Sequence, residues 1–396
     1  MKKTFYPAFL VTLLAGLALE GTTCFSIVQA STEVAGIITT DTIWTQAHSP
    51  YYLAGNVLVD KGVTLTIESG VTVNFTDSDY YIRVDGTLIA RGTNENPIYF
   101  NYGRSIRFTE DSNGWKEETD EGSIIENAIL TRVDLEVYGS PKVNNNTFVR
   151  SGIGIQRGNA SIVNNFIDGT ISVLADSPEI VNNTILGKAI SDSLGRPVYK
   201  DYGIYIDTMN GDVSALIANN VVSGDFTQAS IKIDGGTPII ERNLVSNSYG
   251  YGSDSDRHQS GILIDKHAEP IIQNNTITKN ARGITCGSSL VTISYNNLHD
   301  NSGYNLYLSS GSTGELNATN NWWGTTNTTL ISQSIYDFEE DFDLGTVTFV
   351  PFLTEPNPEE MSTSIPEFPP WTILPLLLTA TVLVIFCRRK LKTIQE

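Results

Sequence analysis

The sequence predicts an all-β parallel solenoid, and three observations carry that expectation. A two-residue polar phrase, usually Asn-Asn, recurs between β-branched or apolar residues as Asn145-Asn146, Asn164-Asn165, Asn182-Asn183, Asn219-Asn220, Arg242-Asn243, Asn274-Asn275, Asn296-Asn297 and Asn320-Asn321. The second members are 19, 18, 37, 23, 32, 22 and 24 residues apart, so the two long steps read as one coil plus an insertion; a period in this range marks a solenoid. The flanking runs alternate, are β-branched and span about 3–5 residues. Such strands cannot build an ordinary sheet alone, but each can pair in parallel with its equivalent one coil on, about 4.8 Å away.

Along the chain, Lys2 and Lys3 lead into an apolar run from Phe9 to Leu19, and Val28-Gln29-Ala30 offers a small-residue cleavage site. Residues 1–30 therefore read as a secretory signal peptide. Gly21-Thr22-Thr23-Cys24 is a poor lipid-attachment box, and no lipid is expected on Cys24. Residues 31–56, with Trp44, Pro50 and Tyr51, are expected to cap the first coil, because an open solenoid end exposes strand edges.

The solenoid is expected over 57–353. Its early strands fall at 57–59, 63–67, 71–75, 81–84, 87–89 and 98–100, punctuated by Gly62, Gly70, Gly86 and Gly92. Later coils place one strand before the polar phrase (Pro178-Glu179-Ile180-Val181) and one after it (Thr184-Ile185). A third, often opened by Gly, precedes the next unit (Gly203-Ile204-Tyr205-Ile206, Gly261-Ile262-Leu263-Ile264). The bend at the phrase needs a residue that tolerates left-handed backbone angles and has a side chain to satisfy bent backbone groups, and Asn does both. The second members, Asn146, Asn165, Asn183, Asn220, Asn243, Asn275, Asn297 and Asn321, are expected to stack as an amide ladder, each donating to the carbonyl of the next. A row of sugar-binding amides on the first members is the alternative.

Residues 354–367, rich in Pro, Glu and Ser, read as a stalk. Residues 368–387 form an apolar run of 20, long enough to span a bilayer. Trp371 suits one interface, and Arg388, Arg389, Lys390 and Lys392 in 388–396 suit the cytoplasmic side. The expected topology is a single-pass anchor at the cell surface with the N-terminus outside.

Composition limits the partners. Against 25 Lys and Arg stand 44 Asp and Glu, a net charge of −19. That argues against nucleic acid or another polyanion and fits a surface that collects cations or stays soluble. Cys24 lies in the leader and Cys387 in the apolar tail, so Cys286 is left without a disulfide partner and is expected to face the core.

Two resemblances sharpen this reading. Ile365-Pro366-Glu367-Phe368, the apolar segment and the basic cluster together resemble, over about 30 residues, the PEF-type C-terminal sorting signal of archaeal surface proteins. That resemblance implies an archaeosortase-like enzyme that reads Pro366, Glu367 and Phe368, cuts there and transfers the chain to an envelope anchor. An uncut anchor is the competing expectation. Over roughly 40–353 the ectodomain resembles the pectin-lyase-like right-handed β-helix proteins, in particular the copper-maturation and carbohydrate-associated repeat group. Asn320-Asn321-Trp322-Trp323-Gly324, Ile335-Tyr336-Asp337 and Val350-Pro351-Phe352 resemble the closing module of archaeal secreted β-helix proteins. The implied fold is a right-handed parallel β-helix of about a dozen coils. Trp322 and Trp323 are expected either to cap its last coil or to stack on sugars.

Aligning the coils on the second polar residue brings Gln156, Leu174, Asp207, Asp234, Asp265, Gly287 and Ser309 into one column. Three aspartates thus end three successive strands. Like charges one strand apart repel, so this column needs water, a basic neighbour (Lys266, Arg242 or Arg257) or a cation, for which calcium is the natural candidate. The insertions 188–202 and 248–260, the second holding Arg257 and His258, are expected to wall a groove nearby.

Asp207, Asp234 and Asp265 are therefore the candidate calcium, saccharide or catalytic residues. Hydrolysis would need two carboxylates across a glycosidic bond, and lyase chemistry a basic residue beside a calcium-bridged uronate. The paired Asp-Asp and Gly-His-Gly phrases of polygalacturonases are missing, and His258, His267 and His299 stand alone. Fold by itself does not imply activity. Asn-X-Ser/Thr sequons occur at Asn74, Asn145, Asn159, Asn182, Asn274, Asn317 and Asn327. Those at Asn145, Asn182 and Asn274 arise partly from the repeat, which leaves Asn74, Asn159, Asn317 and Asn327 as glycan candidates.

The expected function is a non-catalytic envelope protein that binds extracellular carbohydrate or mediates adhesion. The alternative is a calcium-assisted polysaccharide lyase or glycoside hydrolase. A metal-maturation accessory role is a third reading, for which the few Met and His offer little copper chemistry.

Overall fold

The computed structural model describes residues 31–187, 190–191, 197–248, 259–265 and 267–358. They form an all-β solenoid with one 23-stranded and one 11-stranded sheet, both built of short parallel strands. One coil shows the plan. Strand Glu179–Val181 pairs in parallel with Leu216–Ala218 one coil on, Thr184–Gly187 with Val221–Gly224, and Tyr202–Ile206 with Ala229–Ile233. Strand alternation sends every second side chain inward. The inward row Ile125, Val143, Ile162, Ile180, Ile217, Ile240, Ile272 and Ile293 is at most 1% exposed, and β-branched residues suit such a pleated, packed surface.

The polar phrase divides its two tasks between its two members. The first takes the left-handed backbone, as in Asn145 (φ 54), Asn164 (φ 57), Asn219 (φ 55) and Asn274 (φ 57). The second turns inward and is almost fully buried. Asn146 Nδ2 donates to Asn165 Oδ1 at 3.0 Å, and the chain of amides runs on through Asn183, Asn220, Asn243, Asn275, Asn296 and Asn321 with links of 2.9–3.1 Å. From Asn165 onward each amide is fully used. Asn165 Oδ1 also accepts the Asn146 backbone N–H at 2.9 Å, and Asn165 Nδ2 also donates to the Val143 carbonyl at 2.9 Å. Two hydrogens and two lone pairs leave nothing unpaired.

The ladder corrects one expected member. Asn296, not Asn297, carries it, because Tyr295 (φ 58) takes the left-handed position in that coil. The Asn-Asn pair therefore lies one residue late there, and Asn297 opens the strand Asn297–His299.

At the first end, Thr32–Ile38 pairs in parallel with Tyr51–Val59, and Thr42–Trp44 with Thr64–Ile67. Residues 31–56, expected as a cap, are thus wound into the solenoid itself. Near the other end lies the helix Thr328–Gln333, whose N-cap Asn327 accepts from Thr329 and Leu330. Buried Trp323 lies edge-on to Phe349 there, at 6.4 Å. Among the described residues no helix is long and apolar enough to cross a membrane. The leader 1–30, the motif Pro366-Glu367-Phe368, the apolar run 368–387 and the tail 388–396 lie outside the described residues.

Candidate functional site

The expected column is in register. Backbone N–H groups of Asp207, Asp234, Asp265, Gly287 and Ser309 each donate to a carbonyl one coil back, at 2.8–2.9 Å. Beside the column runs an outward-facing row on the same strands: Tyr205, Lys232, Leu263, Thr285, Tyr307 and Tyr336 are successive partners. A second row, Tyr202, Ala229, Ser260 and Arg282, starts the same strands.

These rows bring the aspartates into contact with residues the sequence reading did not single out. The Tyr205 hydroxyl stands 2.8 Å from Asp207 Oδ2 and 3.0 Å from Asp234 Oδ2. One phenol hydrogen serves two carboxylates. Burial, followed by these two hydrogen bonds, pushes the phenol well above its usual range. Lys232 Nζ lies 3.0 Å from Asp234 Oδ2. It also stands over the rings of Tyr202 and Tyr205, at 5.3 and 5.7 Å, and those rings stack at 5.1 Å. Desolvation acts to lower the Lys232 pKa, but the hydrogen bond and charge of Asp234 outweigh it and hold the ammonium above its usual range. Asp234 Oδ1 is buried with no hydrogen-bond partner among the described residues. An open cleft of about 540 Å³ runs alongside, lined by Lys232, Asp234, Leu263, Asp265, Gly287 and Ser309, a size that suits a small ligand or part of a larger one.

The compensation for the column is therefore local. Lys232 neutralises Asp234, whereas Arg242 pairs with its neighbour Glu241 at 2.7 Å. Lys266, Arg257 and His258 lie outside the described residues, as do most of the insertion 248–260 and part of the insertion 188–202. Among the described residues no three His, Cys, Asp or Glu groups converge on a metal-ion site. The three aspartates thus share a column, and two of them are hydrogen-bonded to one hydroxyl.

The other candidates separate. Trp323 is 3% exposed and belongs to the closing core, which removes it from any sugar surface. Trp322 is half-buried beside Asn297. Asn159, Asn317 and Asn327 are exposed, while half-buried Asn74 accepts from Asn101 Nδ2 at 3.0 Å. Cys286 is buried, and burial pushes its thiol to about 11. Further along the face, the Arg282 guanidinium lies 3.4 Å from the Tyr307 ring centre. Tyr307 stacks on Tyr336 at 4.4 Å, and Tyr304 meets Tyr336 edge-on at 5.2 Å. One signal for these residues was present: in Ile204-Tyr205-Ile206 and Ile231-Lys232-Ile233 the middle residue breaks an apolar run and must face out.

Two family models that match the chain agree with this architecture. Residues 169–324 match the family model described as a right handed beta helix region, and residues 36–115 match a pectate-lyase like beta helix domain. A stretch of 63 residues is 41% identical to Protein bark beetle of Drosophila melanogaster, covering 16% of this chain and 2% of that protein. Among solved structures, that of the Dettilon tailspike protein (gp208) is 13% identical, with a TM-score of 0.31, over 66% of this chain and 62% of that one. The chain thus spans a small fraction of the curated relative and under two thirds of the tailspike.

Proposed function

We propose that this right-handed β-helix is a non-catalytic carbohydrate-binding protein of the cell envelope, and that it takes its ligand along the face carrying Tyr202, Tyr205, Lys232, Asp234 and Asp265. The supporting observation is the Tyr205 hydroxyl between Asp207 and Asp234, with Lys232 on the same carboxylate. The cluster sets aromatic rings, carboxylate acceptors and an ammonium donor at the edge of an open cleft. Those are the groups that stack on a sugar ring and bond its hydroxyls.

The same cluster favours binding over catalysis. A general base must be free to take a proton near working pH, but Lys232 and Tyr205 are both held in their protonated forms. Hydrolysis asks for two carboxylates on opposite sides of a glycosidic bond, whereas Asp207 and Asp234 bind one hydroxyl from either side.

The leader 1–30 and the apolar run 368–387 support export and retention at the surface. The Pro366-Glu367-Phe368 signal supports archaeosortase-type processing. Immobilised glycans tested against the full-length protein, Tyr205→Phe and Asp234→Asn decide the binding reading. Release of unsaturated products or new reducing ends by the unaltered protein would overturn it.

A further inference from the structure

Two cations stand on the binding face, and they are answered differently. Lys232 meets Asp234 at 3.0 Å. Arg282 has no ion pair with any described residue; its plane lies against Tyr307 instead, beside Tyr304 and Tyr336. We infer that Arg282 is a subsite for a single anionic group, a carboxylate or a sulfate ester, on an otherwise neutral glycan. This rests on the carbohydrate-binding reading and specifies its ligand.

Three observations carry it. In a chain with 44 acidic residues against 25 basic ones, an unanswered and half-buried arginine is conspicuous. Burial is the main influence on that guanidinium and draws its pKa down, as expected of a charge short of counter-charge. One face lies on Tyr307, whose side chain also hydrogen-bonds to the guanidinium; the remaining N–H donors of the fork can engage a planar or tetrahedral oxyanion, for which arginine is better shaped than lysine.

The layout limits the ligand to one charge. Tyr202, Ala229, Ser260 and Arg282 follow one another in register, with the small residues Ala229 and Ser260 buried between the tyrosine pair and the arginine. Two coil steps separate the strands of Lys232 and Arg282, about 10 Å. Asp207, Asp234 and Asp265 flank that path and would repel further anionic residues.

The test uses full-length protein and four probes: a neutral oligosaccharide, the same with one uronate, the same with one sulfate ester, and a uniformly charged polyuronate. The readout is the ratio of affinities. We expect the single-charge probes to bind about tenfold tighter than the neutral one, as charge-assisted hydrogen bonds allow, with the polyuronate weaker than the better of them. The uronate and sulfate arms identify which anion is read. In Arg282→Gln the ratio should fall to about one, and in Arg282→Lys it should be intermediate. A preference that survives Arg282→Gln, the absence of any preference, or tightest binding of the polyuronate would each overturn the inference while leaving carbohydrate binding intact. Failure of every probe to bind the unaltered protein would remove both. Circular dichroism of each variant separates loss of the fork from loss of the fold.

Discussion

Asn243 Nδ2 donates to Asn275 Oδ1 at 2.9 Å across 32 residues of chain, the same link that joins coils with no insertion between them. The ladder is thus undisturbed across that long step. Asn243→Ala would strip the partner from the Asn220 backbone N–H and Nδ2, and from the Ile217 carbonyl. Each buried orphan costs about 1–3 kcal/mol, so the loss in stability should be several kcal/mol by denaturant unfolding.

The first member of each phrase should respond to a different change. Asn219 holds φ 55, a region that costs a side chain about 1–2 kcal/mol and is worst for β-branched residues. Asn219→Val should therefore destabilise by about that much and Asn219→Gly hardly at all, measured the same way. Equal effects of the two would show that the left-handed turn is not what this asparagine supplies.

How much of this was legible in the sequence follows from what each asparagine does. The buried amides announce the period because no other side chain fills the same four bonds, so the coils and the aspartate column could be placed by counting. The count slipped at Asn297 because Tyr295 performs the left-handed turn there without being an asparagine. The shorter ladder Asn280–Asn301 escaped notice for the related reason that no doubled phrase marks it. The partners of the aspartates were harder to see. In one dimension Lys232 and Tyr205 show only that they face out, and only the parallel register puts one coil's tyrosine beside the next coil's carboxylate.

Alkaline pH should loosen the site. Tyr205 and Lys232 both have raised pKa values, so the folded state holds their protons more tightly than the unfolded chain. Their contribution is complete below the unfolded pKa values, about 10, and fades as pH rises through the folded ones. Stability should fall more steeply above about pH 10 than in a Tyr205→Phe, Lys232→Met double variant. Parallel curves, followed by thermal unfolding at stepped pH, would count against a proton-holding cluster.

The expected anchor has its own test. Removal of residues 368–396 should release the protein into the medium, as judged by fractionating the culture. Retention of the shortened protein on cells would place the anchor elsewhere.

The central claim is that the Tyr205–Asp234 face binds carbohydrate without turning it over. Calorimetric titration of full-length protein against an oligosaccharide that it retains, with unsaturated products and reducing ends followed in the same samples, tests it most directly. The account predicts saturable binding, about tenfold weaker in Tyr205→Phe and in Asp234→Asn, and no products at any time. Product formation that Asp234→Asn abolishes, or binding indifferent to both substitutions, would contradict it.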